Sequence, residues 1–287
     1  MQIKYINKYK DSIVIDSNPS SLRLYDLEGR CGLSNDISIS KTTYIDGVNI
    51  NSTSLSYREL TIVGKIISNN KVEIENIKRK LIRTFTVKDK GTLYFKSNDT
   101  SEEYCIDTIV SNAPVFNHES FNIVGFIIEL VAPNPYWRDK AEKRFEIAKV
   151  EGNFRFPLTM PTMVGTKESS LFFNCNNAGD VDSGIKIEFY AREEVLNPAL
   201  IDTNTNQFIK VNKRMAKDER IIINTNAGDK SIISIVDGVE TKILQYLDFD
   251  SSFLQLNRGD NLLKYQADEG MNFLTCDIYY TPKYLGV

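Results

Sequence analysis

The stretch "GIKIEFYA", Gly184–Ala191, decides the fold class. Its apolar residues Ile185, Ile187 and Phe189 alternate with Lys186, Glu188 and Tyr190. An extended chain puts the first three on one face and the second three on the other, the signature of a half-buried strand. Working outward, "FLTCDIYY" (Phe273–Tyr280) repeats the period and places Leu274, Cys276, Ile278 and Tyr280 together. "KSIISIV" (Lys230–Val236), "ERIIINT" (Glu219–Thr225) and "KTTYIDGV" (Lys41–Val48) are short, rich in Ile, Val and Thr, and bounded by Asn, Asp and Gly. Each reads as a strand. Short strands and turns at this spacing predict sandwiches or barrels, and so a mainly β protein.

One segment departs from the pattern. In "VEIENIKRKLIR" (Val72–Arg83), Ile74, Ile77 and Leu81 recur at helical spacing with charges between them, which predicts a single amphipathic helix. Its cations Lys78, Arg79, Lys80 and Arg83 lie toward the C-terminal end, where they suit the helix dipole. They are read as a solvated face. A domain boundary follows "LVAPNPYW" (Leu130–Trp137), which holds two of the eight prolines and the single tryptophan. Pro133 and Pro135 remove two backbone donors and bias Ala132 and Asn134 to extended conformations, so a strand should end there. Tyr136 and Trp137 are read with the two prolines as a structural junction of large apolar anchors. The polar "RDKAEKRFEIAKVEGN" and the proline-bearing "RFPLTMPTMVG" come next. The expected organisation is a first domain over 1–137, a connector over 138–160 and a second β-domain over 161–287.

Composition excludes several functions. The 287 residues are 41% hydrophobic and 25% charged, enough to bury real cores. No run of eighteen apolar residues is present, so no membrane insertion is expected. The first residues lack the apolar stretch and cleavage site of a signal peptide, which points to synthesis in a reducing cytoplasm. Net charge is −3, with 16 basic and 16 acidic residues over 1–137 and 19 against 22 over the rest. Phosphate neutralisation needs a basic excess, so no nucleic-acid partner is expected.

Reactive constellations are equally scarce. His118, the single histidine, is what any Ser–His or Cys–His pair would have to use, and imidazole metal sites need several. Cys31, Cys105, Cys175 and Cys276 lie far apart and form no CxxC motif. Those in apolar strands, such as Cys276 in "NFLTCDIYY", are expected to behave as small buried hydrophobes. The acid pairs Glu102–Glu103, Glu193–Glu194 and Asp248/Asp250 read as solvated faces, and "GDVDSG" (Gly179–Gly184) lacks the ligands of a calcium loop. No catalytic residue, cofactor site or metal site is expected. Sugar binding by the second domain would need an aromatic platform, for which only tyrosines such as Tyr190, Tyr246 and Tyr280 are available.

Taken in order, these segments resemble the distal tail proteins (Dit) of siphophage-type tailed bacteriophages. The first half of that pattern is a glycine-led strand, an arginine-led strand, a polar helix and an apolar strand closing on a Pro-Tyr-Trp-like motif. Here they read "DGVNINSTSLSYRELTIVGKI", "VEIENIKRKLI", "GTLYFKS" and "FNIVGFIIELVAPNPYW". The second half reads "NNAGDVDSGIKIEFYA", "LIDTNTNQFIKVNK", "ERIIINTNAGDKSI", "YLDFDSSFLQLNRGDNLLKYQADEG" and "IYYTPKYLGV". The likeness spans nearly the full length, and it is carried by order and spacing. It implies a β-barrel-like, ring-forming N-terminal domain with one helix, followed by a galectin-like β-sandwich. It also implies a non-enzymatic, hexameric ring at the virion tail tip, assembled in the host cytoplasm. The implied partners are the tail tube protein, the tail-tip hub protein, and tape-measure or receptor-binding proteins. The chain leaves no room for the extra module of about 100 residues that some relatives insert. Sugar-binding galectins carry a His-Asn-Pro-Arg strand motif; the Asn197-Pro198 pair here lacks its histidine and arginine. The alternative reading is an adhesin whose sandwich recognises host cell-wall glycan.

Overall fold

The structure, a computed structural model, describes residues 1–18, 20–44, 46–98, 102–146 and 172–287. Residues 147–160 of the expected connector, with Pro157, and the expected start of the second domain at 161 lie outside the described residues. By compactness the chain divides into two units, Met1–Lys140 together with Lys283–Val287, and Ala141–Pro282.

The first unit is built from β1 (Gln2–Asn7), β2 (Ser12–Asp16), β3 (Leu22–Glu28), β4 (Asn35–Ser40), β5 (Asn49–Leu55), β6 (Arg58–Ile67), α1 (Lys71–Thr84), β7 (Lys90–Lys96), β8 (Glu103–Ser120), β9 (Ile123–Ala132) and β10 (Trp137–Asp139). Seven of these strands close a barrel in the order β8-β7-β1-β2-β3-β6-β9 and back to β8. Closure depends on β8. Its first part pairs with β7 from Glu103 to Ile109, and from Ile109 onward it pairs with β9, with register shifts at Val110/Asn112, Asn112/Val115 and His118/Ser120. Each shift is a bulge or irregularity that bends the strand, which is how one strand of 18 residues can close a sheet on itself. The seam opposite is slight: β2 and β3 run parallel and meet at the single pair Asp16↔Arg23.

Strict alternation fills the barrel. Along β6 the inward positions are Arg58, Leu60, Ile62, Gly64 and Ile66, and along β9 they are Val124, Phe126, Ile128, Leu130 and Ala132. Gly64 stands opposite Phe126, and a Cβ there would collide with the phenyl ring, so the glycine makes room for the larger side chain. The helix forms where periodicity predicts it. Asn70 Oδ1 caps it by accepting from the Val72 amide at 2.9 Å. Glu73 in its first turn accepts from Ser21 and Ser68 hydroxyls at 2.6 Å each, which holds its carboxyl below the usual range. Ile74 and Leu81 are buried and Ile77 is half-buried. Burying such a side chain contributes about 2 kcal/mol. Of the four cations read as a solvated face, Arg79, Lys80 and Arg83 are exposed, while Lys78 is half-buried and pairs with Glu75 at 2.7 Å.

β4 and β5 pair only with each other and leave the barrel between β3 and β6. The segment Lys41–Val48, expected as a strand, is instead the tip of this hairpin. Tyr44 (φ 69°) and Gly47 (φ 99°) adopt left-handed turn conformations there, and Thr42, Thr43 and Val48 are exposed.

The second unit is a sandwich. One sheet runs Lys143–Glu146, Leu274–Tyr280, Ser183–Ala191, Arg220–Asn224, Ser231–Val236, Val239–Lys242. The other runs Phe172–Asn177, Gly259–Gln266, Ala199–Asp202, Phe208–Lys210. Ile185, Ile187, Phe189, Cys276 and Ile278 from the first share one core with Cys175, Leu200, Ile209 and Leu263 from the second. The opening stretch is thus a central strand, paired with Arg220–Asn224 on one side and Leu274–Tyr280 on the other. The final strand, Lys283–Tyr284, which the sequence reading leaves in the second domain, pairs with β10 as part of the first unit.

Candidate functional site

The residues singled out as a junction sit where β9 ends. Pro133 and Asn134 are exposed, Pro135 is buried, Tyr136 is half-buried and Trp137 is fully buried. Asn134 Oδ1 accepts the Tyr136 amide at 3.3 Å and stabilises the turn. Trp137 packs tilted against Phe95 at 6.1 Å, and its indole Nε1 donates to the Arg30 carbonyl at 3.1 Å. The large ring is therefore buried with its one polar atom satisfied.

Beside it lies a residue to which the sequence reading assigns no role. Arg58, the first residue of β6, is 2% exposed. Its Nη1 donates to the carbonyls of Gly29 (2.6 Å), Arg30 (2.9 Å) and Gly32 (3.5 Å). Its Nε donates to Pro135 O at 2.7 Å and its Nη2 to Leu285 O at 2.5 Å. Three separated segments thus converge on one guanidinium: the root of the β4–β5 hairpin, the turn after β9, and the returning C-terminal segment. Carbonyl dipoles satisfy its donors, while burial pulls its pKa down. Gly29 (φ 81°) belongs to the same arrangement, because a Cβ there would overlap the Glu59 carbonyl. The signal that could have found Arg58 is parity: it shares the inward phase of Leu60, Ile62 and Ile66.

The second notable feature is the hairpin. Every residue of β4 and all but the last of β5 are exposed, among them Ile37 (51%), Ile39 (58%) and Ile50 (63%), with Ile39 directly opposite Ile50. A two-stranded hairpin alone is marginal in water, and this one leaves three isoleucines exposed. A groove of about 550 Å³ is lined by Ile6, Tyr94, Ile109 and Pro133, with Lys90 and Asp107 at its edge.

Groups read as chemically inert stand as follows. Cys105, Cys175 and Cys276 are buried and Cys31 is exposed. Burial pushes the Cys175 thiol up to about 12 and that of Cys276 well above its ordinary value. His118 is exposed on β8, with its Nε2 3.3 Å from Lys78 Nζ. Glu103 pairs with Lys140, Glu193 with Lys217 and Glu194 with Arg214. Among the described residues no group of three or more His, Cys, Asp or Glu is placed to hold a metal ion, and no helix is long and apolar enough to cross a membrane. Of the tyrosines considered for a sugar platform, Tyr280 is core, stacked on Phe145 at 5.4 Å and donating to Asn176 O at 2.7 Å. Tyr190 donates to Asp218 at 2.6 Å, and Tyr246 is 42% exposed.

A closed barrel with one helix, joined in one chain to a β-sandwich, is an arrangement found in phage tails. Two family models match the chain, the phage tail protein RIFT-related domain over residues 24–132 and the C-terminal domain of the siphovirus-type tail component over residues 178–284. The Dit protein of phage SPP1, described as a paradigm of the hub adsorption apparatus in phages infecting Gram-positive bacteria, is 12% identical with a TM-score of 0.71. That match covers 98% of each chain. A chain of the phage P2 baseplate, in its activated conformation with calcium, is 12% identical with a TM-score of 0.55 over 100% of this chain and 99% of that one. No curated protein matches the chain in sequence. The protein is therefore a structural component of a phage tail or baseplate. It belongs to the siphophage distal tail (Dit) family.

Proposed function

We propose that the chain is a non-enzymatic subunit of a hexameric ring at the tip of a phage tail. The ring joins the tail tube to the tail-tip hub and is the platform for receptor-binding components. The observation that carries this reading is the β4–β5 hairpin, an arm with Ile37, Ile39 and Ile50 in solvent. A head-to-tail ring needs a surface on each copy that finds a complementary surface on the next, and closing the ring covers it. Family, fold and the absence of a reactive constellation among the described residues support a structural role and no catalysis. Assembly takes place in the host cytoplasm before incorporation into the virion, and the ring requires neither nucleic acid nor membrane insertion. Pro133, Pro135, Tyr136 and Trp137 act as a structural junction that fixes the chain where it leaves the barrel, with Trp137 as its anchor. Glycan recognition by the sandwich has less to draw on, because Tyr280 is in the core and Tyr190 is hydrogen-bonded to Asp218.

Light scattering on the purified chain over a range of concentrations tests the reading. A discrete species of six times 32.7 kDa is expected. A chain that stays monomeric at high concentration contradicts it, and binding of cell-wall glycan by that monomer would favour the adhesin.

A further inference from the structure

Residues 283–287 do more than pair with β10. Lys283 and Tyr284 pair with Arg138 and Trp137, and Tyr284 meets the ring of Tyr104 edge-on at 5.1 Å. Leu285 gives its carbonyl to Arg58, and the Val287 carbonyl accepts from Cys31 Sγ at 3.4 Å. Gly286 lies so close to Cys31 that an added Cβ would stand 3.1 Å from the Cys31 Cα. The segment therefore lies as a strap across residues 29–32, the root from which the exposed hairpin departs. Arg58 holds strap and root together: it donates to Leu285 O on one side and to Gly29, Arg30 and Gly32 carbonyls on the other.

We propose that Arg58 is a positioning residue through which the C-terminal strap sets the stiffness and direction of the β4–β5 arm. The physical argument is satisfaction of a buried cation. With the strap seated, every edge of the guanidinium faces a carbonyl. Lifting Leu285 leaves a buried N–H without an acceptor, which is costly for a charged donor. The guanidinium then turns to recover a partner, and the carbonyls of Gly29–Gly32 lose their common donor. Coupling of this kind is reciprocal, so moving the arm also loosens the strap. The inference rests on the ring reading for its use. The second unit is spliced into the chain between Lys140 and Lys283. A load that pulls on Lys283 therefore reaches Leu285 within two residues of covalent chain, and passes to the root of the arm through Arg58.

Amide hydrogen exchange on the full-length chain, at concentrations below assembly, tests this apart from the ring itself. The variants are deletion of 285–287, Gly286→Ala (which crowds the strap against the Cys31 backbone without removing it), Arg58→Lys, and Arg58→Lys combined with the deletion. Each single change is expected to speed exchange in 35–40 and 49–55 by roughly tenfold, the equivalent of one charge-assisted hydrogen bond. Exchange in β9 and in the strand Ser183–Ala191 is expected to stay unchanged. The double variant should go no faster than the deletion alone, because both act through one guanidinium. Unchanged arm exchange in Gly286→Ala and the deletion, multiplying effects in the double variant, or acceleration spread through the whole barrel would each overturn the proposal. Failure to form hexamers with the exchange pattern intact would count against the ring and leave the coupling standing.

Discussion

Trp137 fills a closed site in the first unit and satisfies its indole N–H on Arg30 O. Trp137→Ala should therefore cost about 3–5 kcal/mol, read as a fall in the denaturant midpoint with loss of rings before any loss of ligand. Intact rings with lost binding would make it a ligand platform instead. Glu219 in the second unit gives a pH prediction. Its buried carboxylate accepts from Lys213 Nζ and Ser234 Oγ, both at 2.5 Å, and from the Ala216 amide at 2.9 Å. Burial pushes its pKa up, but these donors outweigh burial and leave it below the ordinary carboxylate value. A depressed folded pKa means the stability it contributes is present above the unfolded value of about 4.3 and is lost as pH falls through the lower folded value. The stability gap between wild type and Glu219→Gln, measured by urea unfolding, should be widest near neutral pH and shrink in acid; a gap that does not change with pH contradicts the assignment. At this scale rarity and two preceding prolines single out Trp137 in the sequence. Arg58 was opaque because its acceptors come from positions 29–32, 135 and 285. A lysine or arginine at a strand's first position ordinarily faces water.

Among the elements, the helix was the most legible, since its signal is local: period, cap and dipole agree within 14 residues. Asn70→Ala should remove the cap and cost about 1 kcal/mol, visible as a lower thermal midpoint with unchanged secondary structure. The alternating strands of the sandwich were equally plain, because each residue's face follows from parity. The hairpin was half legible. Composition marked Lys41–Val48 as the strand, yet its described residues are the tip, where glycine and a left-handed tyrosine set the geometry. Ile39→Ser with Ile50→Ser should leave monomer stability within about 0.5 kcal/mol, as expected for exposed positions, while abolishing the assembled species in light scattering. Assembly that survives both changes would move the ring contact elsewhere.

For the whole molecule, the pairings that make the architecture are the ones a one-dimensional pattern hides. The bulges of β8, and hence the closure of the barrel on β9, depend on strands that meet only in three dimensions. The return of Lys283–Tyr284 to β10 spans nearly half the chain and leaves no periodic trace. Family order and spacing supplied what periodicity could not, and the fold agrees with that resemblance in both halves. The ring is the claim on which the proposed role turns. Electron microscopy of particles carrying this chain, with the second unit tagged, measures it most directly. The account predicts six tagged copies in a closed ring at the far end of the tail tube. A tagged chain found singly along the tail, or absent from its tip, would contradict it.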